Sequence, residues 1–178
     1  MKAPERLVTE RLILRRPTRA DAEAILTRYA GDPEVTRYLS WPRHEALEQT
    51  LAFLSFSDSE WERWPAGPYL IESRKTGALL GGTGFGFQSA TDAATGYVLA
   101  RDAWGKGYAT EALQALTTFA GALGLRRMHA LCHAEHIASQ RVLEKCGFLL
   151  ESGPQREADF PNLEKTARRD ALSYSRKF

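Results

Sequence analysis

The span from Gly96 to Gly124 narrows the possible folds more than any other part of the chain. Gly96-Tyr97-Val98-Leu99 reads as a short apolar strand, while Ala109, Ala112, Leu113, Leu116, Ala120 and Leu123 recur at the three- and four-residue spacings of one helix face. Gly124 supplies a C-cap for that helix. Between strand and helix stands Trp104-Gly105-Lys106-Gly107-Tyr108-Ala109-Thr110-Glu111-Ala112. Its two glycines permit a tight turn and let main chain approach a ligand with no side chain in between. The helix that follows offers up to four amides with no intrahelical partner, at the positive end of its dipole. Such a junction suits a phosphate or pyrophosphate. Taken alone, the same residues also make a plain strand-to-helix turn.

The flanking sequence predicts a mixed sheet with helices on its faces. Leu12 to Arg16 reads as a first strand. Thr18 is a good N-cap with Asp21 three residues on, and Ala22, Ile25, Leu26 and Tyr29 give the next helix an inward face. Gly31-Asp32-Pro33 stops it, and a further helix runs from about Glu45 with Leu47, Leu51 and Leu54 on one stripe. Tyr69 to Ile71, Leu79 to Phe87, Met128 to Cys132, Leu149-Leu150 and Ala171 to Tyr174 carry strand signals, with a short helix over Ile137 to Cys146. The run Gly81-Gly82-Thr83-Gly84 lacks the G-x-G-x-x-G spacing and a following helix, so it marks a strand closely approached by other main chain. With 178 residues and 43% hydrophobic composition, the expectation is one domain over residues 1–178.

Several function classes lose support at this stage. A formal charge of +2 gives no electrostatic case for nucleic acid or an anionic membrane. No apolar run approaches the roughly 20 residues of a membrane span. His44, His129, His133 and His136 show no zinc pattern, so no metal is expected. Cys132 and Cys146 are the only cysteines, which suits a reduced, cytoplasmic setting. A nucleophile elbow and a Walker loop are both missing.

A second constellation lies on the next strand–helix unit: His136-Ile137-Ala138-Ser139-Gln140-Arg141-Val142-Leu143-Glu144-Lys145-Cys146-Gly147-Phe148. With W-G-K-G-Y-A-T-E-A before it and E-R-L-I-L-R-R-P-T-R-A-D-A at the start, the chain resembles the GNAT superfamily of N-acetyltransferases, in particular its RimJ/RimL-like branch. The resemblance implies an α/β (α+β) fold: a mixed, mostly antiparallel seven-stranded sheet splayed between its fourth and fifth strands, with helices on both faces. It implies acetyl-CoA in the split, the pantetheine arm on Tyr97, Val98 and Leu99, and the pyrophosphate on Trp104, Gly105, Lys106, Gly107, Tyr108, Ala109 and Thr110. Lys106, Arg141 and Lys145 stand as further phosphate contacts, the last two at i, i+4 on one helix face. Ser139 is the implied general acid. His136 replaces the Asn usual at its position, so it is carried as a pantetheine contact and a candidate proton carrier. Cys132 would lie near the acyl sulfur.

The branch often carries Glu two residues before the Gly-Tyr of its fourth strand, and here that position is Ala94. Glu72, Asp92, Glu135 and Asp159 are the alternative bases. Without a strong base, pKa decides the acceptor. A lysine amine of pKa about 10.4 is only ~0.04% neutral at pH 7, costing roughly 4–5 kcal/mol, whereas an α-amine of pKa about 8 costs only ~1–1.5 kcal/mol. The expected acceptor is therefore a primary amine of low pKa, first of all a peptide or protein N-terminus. In the branch the chain resembles, the segment with Trp41, Phe53, Phe56, Trp61, Trp64 and Tyr69 helps wall the acceptor cleft, although most of these rings equally suit cover for the sheet, and the loop Gln155 to Asn162 offers a cationic amine Glu157 and Asp159. Acetylation of a small-molecule amine, an acyl-CoA-binding or sensing module with little catalysis, and a homodimer stay open.

Overall fold

A computed structural model of the chain describes residues 1–155 and 158–178. Eight strands form one sheet: β1 (Arg6–Val8), β2 (Leu12–Arg15), β3 (Pro68–Ser73), β4 (Leu79–Phe87), β5 (Asp92–Leu99), β6 (Arg127–His133), β7 (Leu149–Gln155) and β8 (Ala171–Lys177). Their spatial order is β1-β2-β3-β4-β5-β6-β8-β7, antiparallel except for β5 against β6. The helices are α1 (Ala22–Ile25), which runs on into a wide π turn over Leu26–Ala30, α2 (Pro33–Thr36), α3 (Leu47–Arg63), α4 (Tyr108–Ala120) and α5 (Ile137–Lys145).

The expected count of seven strands is corrected to eight. The addition is β1, where buried Leu7 lies between exposed Arg6 and Val8 and pairs with Leu14. Three residues carry too little alternation to be read as a strand before the partner is known. The strand implied as fourth is accordingly β5, and the sheet parts between β5 and β6. Only Asp92, Ala93 and Ala94 pair with β6, opposite Arg127, Met128 and His129. Beyond that point β6 continues on β8 through Ala171, while Thr95 to Leu99 stay on β4.

Apolar periodicity sets the two layers. Ala112, Leu113 and Leu116 of α4 pack with Tyr69, Ile71, Phe85, Ala93 and Met128 on one face. Ile25, Tyr29 and Leu54 pack with Leu70 and Val98 on the other. The glycine run is a close approach, as expected: a Cβ at Gly81 would lie 2.0 Å from the Val98 carbonyl oxygen. Among the described residues no helix is long and apolar enough to cross a membrane.

Candidate active site

The pairing with β4 dictates what β5 shows to the split. Main-chain groups alternate between the two sides of a strand. The Ala100 amide donates to the Leu80 carbonyl at 2.8 Å, so the register turns Val98 and Gly96 toward β4 and leaves Tyr97 and Leu99 facing the gap. The Leu99 carbonyl already accepts from the Trp104 indole at 2.8 Å. Tyr97 thus keeps both main-chain groups toward the split and Leu99 its amide. Val98 contributes only its side chain, packed against the α1 side of the sheet.

At the C-terminal end of β5 the chain turns into α4 through Gly105 and Gly107, with φ of +70° and +78°. These left-handed conformations suit glycine and strain any other residue. Among the described residues no hydrogen-bond acceptor meets the amides of Gly105, Lys106, Gly107, Tyr108, Ala109 or Thr110. The loop is nonetheless held firmly. Glu111 accepts from the Thr9 hydroxyl (2.6 Å), the Arg11 amide (2.8 Å) and Arg11 Nε (2.7 Å), while Arg11 Nη1 donates to the Lys106 carbonyl (2.8 Å). Burial alone would raise the Glu111 carboxyl, but these donors outweigh it and hold it below the usual range. Glu111 belongs to the junction motif, but its anchoring role and its partner Arg11 are not legible in the sequence, because the two meet across about half the chain.

The α5 helix lies beside this junction. Cys146 Sγ is 3.5 Å from the Thr110 carbonyl, which brings Lys145 to the first turn of α4. Lys106, Arg141 and Lys145 are exposed, and among the described residues none is in an ion pair. The other end of α5 reaches into the split. Tyr97 Oη lies 2.9 Å from the Ser139 carbonyl and 2.8 Å from Ser139 Oγ. One phenol hydrogen serves one acceptor, so donation to the carbonyl leaves Ser139 Oγ donating to Tyr97. Burial, opposed by the bond to Ser139, raises the Tyr97 phenol and keeps it protonated. Cys132 is buried, its thiol donating to the His133 carbonyl at 3.4 Å, and burial raises its pKa.

His136 is the N-cap residue of α5, and its ring stacks on Tyr38 at 5.0 Å. Burial lowers its pKa and His133 lowers it further, so the ring is neutral near pH 7. Tyr38 also stacks on His133 at 4.7 Å, and Phe160 meets His133 edge-on. Asn162 ties the same region together. Its Nδ2 donates to the Thr36 (2.8 Å) and Trp41 (2.9 Å) carbonyls, and its Oδ1 accepts from the Arg43 amide (2.7 Å). The segment from Thr36 to Arg43 is thereby fastened to the connection between β7 and β8, across the face of the split.

Not every expected residue is brought here. Trp61 is buried, donating to the Pro68 carbonyl and meeting Tyr69 edge-on, and Trp64 stacks on Phe87. These three rings belong to the core beside α4, not to a cleft wall. Trp41 stands with Asn162, whereas Glu157 lies outside the described residues. Of the candidate bases, Glu72 is held by Arg15 at 2.7 Å, Asp92 lies 3.7 Å from Arg127, and Asp159 is largely exposed near Arg169. Glu135 is exposed. Among the described residues no group of three or more His, Cys, Asp or Glu could hold a metal ion.

Comparison with known proteins assigns this architecture. Residues 11–149 match the family model of the acetyltransferase (GNAT) domain. The chain is 35% identical over 148 residues to the uncharacterized N-acetyltransferase YoaA of Bacillus subtilis, covering 82% of this chain and 83% of that one. A GNAT-family acetyltransferase from Bacillus anthracis superposes with a TM-score of 0.82 at 25% identity, over 97% of this chain and 98% of the other. The fold is also that of RimL, the ribosomal L7/L12 α-N-protein acetyltransferase in complex with coenzyme A, with a TM-score of 0.83 at 24% identity over 97% of each chain. The parted strands and the glycine junction therefore sit in a protein that belongs to the GNAT acetyltransferase family, an acetyl-CoA-dependent N-acyltransferase.

Proposed function

We propose that the chain transfers the acetyl group of acetyl-CoA to the α-amine of a peptide or protein N-terminus, by direct transfer in a ternary complex. The observation that carries this is the row of unpartnered amides from Gly105 to Thr110 at the open end of a parted strand pair. Those amides, with Lys106, Arg141 and Lys145, hold the pyrophosphate. Tyr97 and Leu99 lend main-chain groups to the pantetheine arm, with the Val98 side chain alongside. His136, neutral and able both to donate and to accept, takes the place of an amide side chain against the same arm. Ser139 delivers a proton to the departing sulfur. The α-amine is favoured because the strands that border the split, over residues 94–99 and 129–133, carry no carboxylate, and a low-pKa amine needs the least help to shed its proton. The likeness to a ribosomal-protein α-amine acetyltransferase points the same way.

The test is acetylation of a peptide panel with free and with blocked N-termini. Transfer to free N-termini, abolished by blocking, is the expected result, whereas transfer confined to internal lysines or to small amines overturns the acceptor. The face bearing Tyr38, His136 and Asn162 is then the acceptor side. Asn162→Ala removes three hydrogen bonds to the Thr36–Arg43 segment. It is expected to raise the acceptor KM about tenfold, roughly 1.4 kcal/mol, with the acetyl-CoA Kd unchanged. Steady-state kinetics with each substrate varied in turn checks this.

A further inference from the structure

The fork of the sheet contains one titratable group whose hydrogen bonding is incomplete. His129 is the last β6 residue paired with β5, opposite Ala94, and the strands separate immediately beyond it. Parallel partners project to one face, so His129 shares its face with Ala94, Gly96 and Val98 of β5 and with Leu131 and His133 of β6. Ala94 and its β4 partner Gly86 are small, and Leu131 is 57% exposed, so this side of the fork is open above His129. Nδ1 of His129 is buried and has no hydrogen-bond partner among the described residues. A buried imidazole nitrogen without a partner is unusual and calls for an explanation.

The other groups around the fork are committed. His133 is buried, with Nδ1 accepting from the Glu135 amide (3.1 Å) and Nε2 consequently donating to the Arg168 carbonyl (2.8 Å). Tyr97 and Ser139 are bonded to each other. Arg127 binds Glu151 at 2.6 Å and lies 3.7 Å from Asp92, which occupies the carboxylates at the closed end. Ser175 of β8, the cross-strand partner of His129, donates to Glu151 at 2.6 Å. Residues 94–99 and 129–133 include no carboxylate.

We propose that His129 is the general base that takes the proton from the acceptor amine. The inference rests on the transfer reaction above and adds to it a residue that the sequence left unassigned. His129 accepts one proton from the substrate ammonium through a bridging water at Nε2, the ring nitrogen that is not buried, leaving the neutral amine. The nitrogen lone pair forms the N–C bond to the thioester carbonyl carbon, and the C–S bond breaks with its electrons on sulfur. Ser139 protonates the sulfur and is reprotonated, through Tyr97 and solvent, by the remaining proton that nitrogen loses. His129 then releases its proton to water. One amide, one thiol and one free proton result from one ammonium and one thioester. The environment suits this role: burial, with Arg127 adding to it, lowers the His129 pKa against the pull of Asp92 and Glu151, so the ring is neutral and ready to accept.

The experiment is the pH dependence of kcat/KM for an N-terminal peptide with His129→Gln, alongside acetyl-CoA calorimetry. Glutamine keeps the polar bulk and cannot take a proton, and circular dichroism verifies that the variant is folded. The expected loss is about 30-fold at pH 7, smaller than the roughly 100-fold or more typical of a missing general base because an α-amine of pKa about 8 is already about a tenth neutral there. It shrinks toward wild type by pH 9, where an α-amine of pKa about 8 is neutral by itself. Acetyl-CoA affinity stays within twofold of wild type. Ala94→Glu placed on His129→Gln sets a carboxylate on the same face of the fork and is expected to restore at least fivefold at pH 7. Unchanged activity in His129→Gln, or a loss equal at every pH and unrelieved by Ala94→Glu, overturns the proposal. If His129→Gln does not fold, His129→Asn replaces it under the same criteria. Absence of acetyl-CoA binding in the wild-type protein would instead overturn the placement of the thioester in the split.

Discussion

Gly107→Val is expected to lower acetyl-CoA affinity about 100-fold or more while leaving the protein folded. Gly107 has φ of +78°, and a Cβ there would lie 3.4 Å from Arg11 Nη2, the side chain that also fixes the Lys106 carbonyl. A β-branched residue held in that region costs on the order of 1–3 kcal/mol. The loop relieves the strain by rotating its peptide planes, which turns the amides of residues 105–108 away from one another. Each charge-assisted bond from such an amide to a phosphate is worth about 1.5–3 kcal/mol. Losing two of them removes roughly 3 kcal/mol or more, a hundredfold in Kd.

A matched control separates the loop's chemistry from its strain. Gly77, in the turn between β3 and β4, has φ of +70° and open space where a Cβ would go. Gly77→Val imposes comparable backbone strain far from the split, so it should lower Tm without moving the acetyl-CoA Kd. Titration calorimetry and thermal melts on both variants decide the matter. Equal loss of affinity in the two, or none at Gly107→Val, would show that these amides do not carry the anion.

What the sequence discloses here and what it hides differ in physical kind. The glycine junction and the α4 stripe are local: φ freedom and helix periodicity are written in neighbouring residues, whereas the parting of the sheet is legible only through the family resemblance. The features that complete the site are distant pairings. Thr9 and Arg11 reach Glu111 over about a hundred residues, and Tyr97 reaches Ser139 over 42. Aromatic content left a cleft wall and cover for the sheet both open for the same reason. Trp61, Trp64 and Tyr69 suit either place in composition, and α3, the residue after it and β3 in turn carry them into the core beside Phe85 and Phe87. The place of His129 at the fork is not legible in the sequence because it depends on the parallel register of β5 against β6, and no periodicity within either strand encodes that register.

Ser139→Ala is expected to reduce kcat about 100-fold with the KM for acetyl-CoA nearly unchanged, the size of effect that follows loss of a positioned proton donor. The hydroxyl lies beside the split, 2.8 Å from Tyr97 Oη. A serine hydroxyl is a poor acid in water, so its usefulness depends on what replenishes its proton. Tyr97 answers that need: it is anchored through the Ser139 carbonyl at 2.9 Å and kept neutral by burial. Removing the phenol hydroxyl in Tyr97→Phe frees Ser139 Oγ to rotate and interrupts reprotonation, and a loss of about tenfold in kcat is expected. If the two hydroxyls act in series, Tyr97→Phe adds almost nothing once Ser139 is alanine, because residues acting as one unit are strongly non-additive. Two independent contributions would multiply instead, to about 1,000-fold in the double variant. Solvent isotope effects on kcat provide a second measurement: a shared relay makes the effect fall in both single variants alike, whereas a packing role for Tyr97 leaves it unchanged in Tyr97→Phe.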